Sequence, residues 1–210
     1  MNKNHTFIGS NVALITPMLS DGAVDYDALN HLIDFHIDSG TSSIVSVGTT
    51  GESATIGVKE HLKIIDHTVK YAANRIPIIA GTGANSTSEA IELTQEAKNL
   101  GADACLLVTP YYNKPTQEGL FQHFKLIAES VNIDQILYNV PGRTAVNLSV
   151  DVTSRLSKMT NIIGIKDATG ELSVIEQLVE KCPKDFLLLT GDDATAVDFL
   201  IAGGHGGISV

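Results

Sequence analysis

The sequence has little of what extracellular and membrane proteins require. Its 210 residues include only two cysteines, Cys105 and Cys182, which lack the paired spacing of a disulfide framework. Residues 1–5 contain no apolar signal core, and no apolar run is long enough to span a bilayer. We therefore predict reduced thiols and a cytoplasmic protein.

Positive charge is also scarce. The chain has 14 lysines and arginines against 24 aspartates and glutamates, which gives a formal net charge of -10. Such a chain is repelled by nucleic acids and by anionic membranes, so neither is predicted as a partner. Charged residues make up only 18% and hydrophobic residues 43% of the sequence, which predicts a substantial core rather than disorder. We expect residues 1–210 to form a single domain.

Short apolar runs alternate with helical patterns along the whole chain. The predicted strands are 11–15, 43–47, 76–80, 104–108, 135–139, 162–166, 186–190 and 207–210. The predicted helices are 25–39, 59–73, 86–100, 117–131, 149–158, 172–182 and 194–202. Because the strands are uniformly apolar, they favour a parallel sheet covered by helices, and their rhythm fits a (β/α)8 TIM barrel.

Two absences refine this fold. No Gly-x-Gly-x-x-Gly follows the first strand, which counts against an open dinucleotide-binding sheet. No helical pattern follows the eighth strand, so the barrel lacks its last helix. An uncovered barrel strand exposes apolar surface, and we therefore expect the natural protein to continue beyond Val210.

Active sites of such barrels lie at the C-terminal ends of the strands. These positions are rich in hydroxyls, with one amine and one guanidinium, and have neither a histidine nor a carboxylate cluster. This composition counts against a metal site and against a carboxylate acid–base pair. The residues are Thr16, Thr49, Thr50, Gly81, Thr109, Tyr112, Tyr138, Arg143, Lys166 and Gly191.

Lys166 is the most informative of these residues because it ends the buried run of 162–166. Burial lowers the pKa of a lysine, and a neutral amine attacks carbonyls to form a Schiff base. Tyrosine and threonine hydroxyls would then move protons, and Arg143 could hold a substrate carboxylate. Each residue also has a structural interpretation: Lys166 reaching solvent, Tyr138 packing in the core, Arg143 solvated in a loop, and Asp192 and Asp193 capping the next helix.

Four motifs resemble the dihydrodipicolinate synthase family. They are GTTGES at 48–53, TPYYN at 109–113, YNVPGRT at 138–144 and GIKD at 164–167, and the opening segment 9–17 is similar as well. The resemblance runs in order through essentially the whole chain. It implies a class I aldolase-type barrel, followed in the family by an eighth helix and a small C-terminal helical domain.

The implied activity is that of a lyase in lysine (diaminopimelate) biosynthesis. It condenses pyruvate with L-aspartate 4-semialdehyde to 4-hydroxy-tetrahydrodipicolinate, with a covalent imine on Lys166 and no other cofactor or metal. Tyr138 would be the general acid–base. Thr49 would connect it to Tyr112, which in this family enters from the neighbouring subunit of a homotetramer, a dimer of dimers.

The resemblance also implies substrate-binding positions. Thr50 would hold the pyruvate carboxylate, and Arg143 would position the proton relay and bind the semialdehyde carboxylate. Gly191 and Ile208 would line the pocket beside the lysine.

A feedback site for L-lysine is implied at the tight dimer interface. Val58 stands where lysine-sensitive members often carry a histidine, so the resemblance leaves sensitivity to lysine open. The matching positions are Ser53, Ala54, His61, Asn85, Glu89 and Tyr111.

Two alternatives stay open at this point. The chain also resembles N-acetylneuraminate lyase-like pyruvate aldolases, which would share Lys166 and Tyr138 but use a sugar as the second substrate. The missing last helix instead favours a catalytically impaired barrel fragment that serves for binding or assembly.

Overall fold

The computed structural model of the chain describes residues 6–210. The segment in which we find no signal core, residues 1–5, lies outside the described residues, as does the start of the predicted domain. Both cysteines are free, and Cys105 is fully buried.

Eight parallel strands close into a barrel in chain order, with β1 pairing with both β2 and β8. The predicted (β/α)8 barrel is therefore confirmed. The strands are β1 (Gly9–Ala13), β2 (Ser43–Ser46), β3 (Ile78–Gly81), β4 (Ala104–Val108), β5 (Asp134–Asn139), β6 (Ile162–Asp167), β7 (Leu187–Thr190) and β8 (Gly206–Ser209).

Helices follow each of the first seven strands. They are α1 (Tyr26–Asp38), α2 (Val58–Ala72), α3 (Thr87–Leu100), α4 (Gln117–Ser130), α5 (Pro141–Thr144), α6 (Val150–Leu156), α7 (Leu172–Lys181) and α8 (Ala196–Ile201). No helix among residues 6–210 is both long and apolar enough to cross a membrane.

The single-turn helix α5 was not predicted. Pro141 begins it with a fixed φ and no N–H to lose, and Ala145 ends it at a left-handed φ of 57°. Four residues are too few to show a helical period, which is why the pattern of the sequence did not reveal it. The helix lies between β5 and α6 and carries Arg143 to the mouth of the barrel.

The core has two layers because successive side chains of a strand point to opposite faces. Val45, Ile79 and Leu189 belong to the cluster that fills the barrel, whereas Ile44 and Leu188 belong to the cluster between strands and helices. Burial of each such side chain contributes about 1.5–3 kcal/mol. The interior is therefore a packed core, and a reactive site is expected at the C-terminal ends of the strands.

Candidate active site

Lys166 lies near the end of β6 and points into the barrel mouth. Its residue is 6% exposed, and its amine nitrogen lies 4.5 Å from the ring centroid of Tyr138. Burial lowers the pKa of Lys166 to about 8; the carboxylate of Asp193 partly opposes this shift, and the charge of Arg143 adds to it. A substantial neutral fraction near pH 8 is what a Schiff-base lysine requires.

Tyr138 faces Lys166 because the two residues are partners in the register of β5 and β6. It is 6% exposed, and burial raises the pKa of its phenol. The charge of Arg143 and interaction with the Thr49 hydroxyl lower that pKa. The ring of Tyr138 therefore lies beside the lysine nitrogen in a largely desolvated setting.

Gly191 follows β7 and Ile208 lies in β8, the two strands after β6. A Cβ atom at Gly191 would lie 2.4 Å from Cε of Lys166, so any larger residue there would displace the lysine stem. Ile208 is 1% exposed and belongs to the same apolar cluster as Tyr138 and Leu189. Gly191 therefore lies against the lysine stem, and Ile208 packs in the apolar cluster that contains Tyr138.

The loop after β2 carries the two adjacent threonines. Val47, a β-branched residue, has a left-handed φ of 50°, which turns the chain sharply. The hydroxyl of Thr16, which follows β1, donates to the carbonyl of Gly51 at 2.7 Å and ties this loop to the barrel. Thr49 is exposed and Thr50 is half-buried at the mouth.

Arg143 is exposed on α5, where its charge acts on both Lys166 and Tyr138. The next residue, Thr144, is buried, and its hydroxyl donates to the carbonyl of Val146 at 3.0 Å. Thr144 thus anchors the short helix, while the guanidinium of Arg143 remains exposed at the barrel mouth.

Tyr112 is the one predicted catalytic residue that the chain does not bring to this group. It is 90% exposed and has a left-handed φ of 73°. A single copy of the chain therefore leaves this phenol on the surface, whereas Lys166, Tyr138, Thr49 and Arg143 converge.

A cavity of about 300 Å³ adjoins this site and has Thr49 and Arg143 in its wall. It does not include Lys166 in its wall. Five of the six predicted lysine-site residues line it, together with Val58: Ser53, Ala54, His61, Glu89 and Tyr111. The sixth, Asn85, donates from its amide to the carbonyl of Tyr111 at 3.2 Å.

His61 anchors one wall of this cavity. It is 5% exposed, and its Nε2 lies 2.8 Å from the carbonyl oxygen of Gly81. Burial lowers the pKa of His61, while the Gly81 carbonyl and Glu89 oppose the shift. A neutral imidazole that donates to the Gly81 carbonyl agrees with these contacts.

Asp193 was assigned a capping role from the sequence, yet its carboxylate acts on Lys166. Asp192 instead accepts from the N–H and the hydroxyl of Thr195, just before α8. The sequence could have indicated that Asp193 lies near the site, because it follows Gly191, at the end of the seventh strand, by only two residues. Among residues 6–210, no group of three or more histidines, cysteines, aspartates or glutamates could hold a metal ion.

Comparisons with known proteins identify the family of this chain. The Dihydrodipicolinate synthetase family matches residues 6–210. A 4-hydroxy-tetrahydrodipicolinate synthase from Ruthia magnifica subsp. Calyptogena magnifica is 67% identical over 210 residues, which are 100% of this chain and 71% of the relative. One from Alcanivorax borkumensis is 60% identical over 202 residues, 96% of this chain and 69% of the relative.

Solved structures lead to the same family. The chloride-inhibited dihydrodipicolinate synthase of Acinetobacter baumannii, complexed with pyruvate, has a TM-score of 0.95 and 56% identity, covering 97% of this chain and 70% of that one. The enzyme of Cyanidioschyzon merolae, solved with lysine bound, has a TM-score of 0.95 and 38% identity, covering 98% and 70%. The chain described here belongs to the Dihydrodipicolinate synthetase family.

Proposed function

We propose that this chain is a Schiff-base-forming lyase of lysine (diaminopimelate) biosynthesis. It condenses pyruvate with L-aspartate 4-semialdehyde to 4-hydroxy-tetrahydrodipicolinate. The observation that carries the proposal is the buried amine of Lys166, with its pKa lowered to about 8, held 4.5 Å from the ring centroid of Tyr138. Family membership supports the identity of both substrates.

The reaction begins when the neutral amine of Lys166 attacks the keto carbon of pyruvate and water leaves, which forms an imine. The cationic imine nitrogen accepts electrons from the methyl C–H bond, and loss of that proton gives an enamine. In this proposal Tyr138, whose ring centroid lies 4.5 Å from the amine, carries protons in these steps, and Thr49, which interacts with its hydroxyl, continues the hydroxyl chain. No metal or further cofactor is needed in this scheme.

The enamine carbon then attacks the aldehyde and forms the new C–C bond. The amino group of the second substrate displaces the lysine nitrogen, which closes the ring and returns Lys166 as a free amine. Thr50 holds the pyruvate carboxylate in this proposal, and the exposed guanidinium of Arg143 binds that of the semialdehyde.

Assembly and regulation are also part of the proposal. The exposed Tyr112 enters the site of a neighbouring copy in a homotetramer, a dimer of dimers. L-lysine is the proposed inhibitor that binds the cavity of about 300 Å³. Val58 offers no hydrogen bond there, so we expect weaker inhibition than in members with a histidine at this position.

Reduction with borohydride in the presence of pyruvate tests the imine. We expect one covalent adduct per chain, located on Lys166 by peptide mass spectrometry, and none in Lys166→Ala. The exposed Lys158 provides a matched control, since Lys158→Ala should be modified like the parent. An unmodified parent chain would instead support the binding or assembly module.

The second substrate needs a separate assay. We expect turnover of pyruvate with L-aspartate 4-semialdehyde to exceed turnover with N-acetylmannosamine, because Arg143 offers a partner for a carboxylate. The reverse preference would favour the N-acetylneuraminate lyase-like alternative.

A further inference from the structure

A second pair of residues lies directly behind the reactive pair. Tyr138 and Lys166 are register partners of β5 and β6, and so are the next two residues, Asn139 and Asp167. Because side chains alternate along a strand, Tyr138 and Lys166 face the barrel interior while Asn139 and Asp167 face the helix layer. Asn139 is 1% and Asp167 is 4% exposed.

The amide of Asn139 uses all of its hydrogen-bonding groups. Its nitrogen donates to Oδ2 of Asp167 at 3.0 Å and to Oδ1 of Asn147 at 2.8 Å. Its oxygen accepts from the N–H of Leu148 at 3.0 Å. The side chain therefore joins β5 to β6 and to the segment between α5 and α6.

The carboxylate of Asp167 is held by neutral donors. Its Oδ1 accepts from both the N–H and the hydroxyl of Thr169, and its Oδ2 from Asn139. No lysine or arginine among residues 6–210 forms a salt bridge with it. Burying a carboxylate without a cation has a large desolvation free energy. Apolar residues at these two positions would stabilise the packing of the helix layer more than this pair does.

The register of β5 and β6 at their C-terminal ends sets the distance between Tyr138 and Lys166. The pairing of the two strands shifts between Gln135 and Ile136, so the backbone ladder is irregular at its start. A slip at the far end would change the separation of the Lys166 amine and the Tyr138 phenol. Displacements of about 1 Å can cost about 100-fold in rate.

We propose that Asn139 and Asp167 are positioning residues that hold Tyr138 and Lys166 in reactive register. The hydrogen bond between the Asn139 amide and the Asp167 carboxylate fixes the ends of β5 and β6 relative to each other. It lies on the helix-facing side of the sheet and does not contact substrate. This inference rests on the proposed function, because it assigns the pair a role in imine formation and proton transfer.

Two isosteric variants break the bond. With the oxygen of the introduced amide held by the two Thr169 donors, Asp167→Asn sets an amide N–H against the N–H of Asn139, and Asn139→Asp sets one carboxylate against another. We expect each to slow formation of the borohydride-trapped pyruvate adduct, and kcat, by about 10- to 100-fold in a folded chain, with a smaller change in KM. The pH midpoint of adduct formation should also move, since the surroundings of the amine change.

The exchanged double variant, Asn139→Asp with Asp167→Asn, restores a donor opposite an acceptor. The amide introduced on β6 would donate to the carboxylate introduced on β5 and still accept from Thr169, and the exposed Asn147 can turn its own amide to donate. We expect the double variant to recover kcat and trapping to within about 3-fold of the parent, a coupling measured by a double-mutant cycle.

The matched control is Asn161→Asp. Its amide also joins buried elements, donating to the carbonyls of Ala128 and Val131 at 2.9 and 3.1 Å, but lies at the opposite end of β6. It should lower stability and leave adduct formation at its parental rate below the unfolding temperature.

The outcomes separate this inference from the proposed function. Folded single variants that trap pyruvate at the parental rate would overturn the positioning role while the imine chemistry stands. If the single variants do not fold, a folded double variant with slow trapping would overturn it equally. Absence of an adduct in the parent chain would contradict the proposed function itself.

Discussion

At the level of a single residue, the proposed chemistry depends on the amine of Lys166. The side chain enters the apolar barrel, and burial lowers its pKa to about 8. Asp193 and Arg143 act on it in opposite directions, so desolvation decides the sign. The same burial that supplies a neutral nucleophile must also reduce the stability of the fold.

We therefore expect Lys166→Met to raise the free energy of unfolding at pH 7 by up to about 3 kcal/mol. The folded pKa, about 8, lies below the ordinary value of 10.5, so the unfolded chain binds the proton more tightly. The cost is present below about pH 8 and disappears as pH rises towards 10.5. Denaturant unfolding at several pH values measures it.

The exposed Lys158 serves as the control for this measurement, since Lys158→Met removes an amine that is already solvated. Equal stability of Lys166→Met and the parent at pH 7 would show that the amine is not desolvated in the folded chain.

Among the helices, α4 carries another buried ionisable group. His123 on α4 is 6% exposed, and its Nδ1 lies 2.8 Å from the hydroxyl of Thr87 on α3. Its Nε2 has no hydrogen-bond partner among the described residues. Burial lowers the pKa of His123 to about 4, because a charged ring would lie unsolvated between two helices.

This packing predicts an acid-sensitive contact between α3 and α4. Between pH 6.5 and about 4 the unfolded chain binds the proton and the folded chain does not, so stability falls as pH falls through that range. We expect His123→Leu to reduce the loss of unfolding free energy between pH 7 and 4.5 by about 2–3 kcal/mol.

Unfolding curves of the parent and the variant at the two pH values provide the test. His31→Gln, on the exposed face of α1, controls for the loss of an imidazole. An acid dependence of His123→Leu equal to that of the parent would contradict the assignment.

For the molecule as a whole, the position of Tyr112 bears on how the chain assembles. It lies on the surface, 90% exposed, whereas the residues with which it is proposed to act lie in the barrel mouth. The proposed tetramer would remove this separation. In a two-fold interface each copy presents the same residue to the other, so each site would receive Tyr112 from its neighbour.

Mixed assemblies test this arrangement. Lys166→Ala and Tyr112→Phe should each have low activity, but co-expressed they should recover up to about a quarter of the parental activity, since hybrid dimers contain one intact site. Lys166→Ala co-expressed with Tyr138→Phe is the control, because both residues belong to the same chain's site and no intact site can form. Absence of recovery in the first mixture would place Tyr112 outside the reaction.

The order of strands and helices followed from the sequence alone, since short, largely apolar runs that alternate with helical patterns favour a parallel sheet covered by helices. The sequence also placed Lys166, Tyr138 and Thr49 at strand ends, where a barrel gathers its reactive groups. It did not reveal α5, which is too short to show a period, or the pairing of Asn139 with Asp167. That pairing depends on the register of two strands that lie more than twenty residues apart. Only the tertiary structure could decide it, because hydrogen bonds and desolvation depend on distances in space that spacing along the chain does not fix.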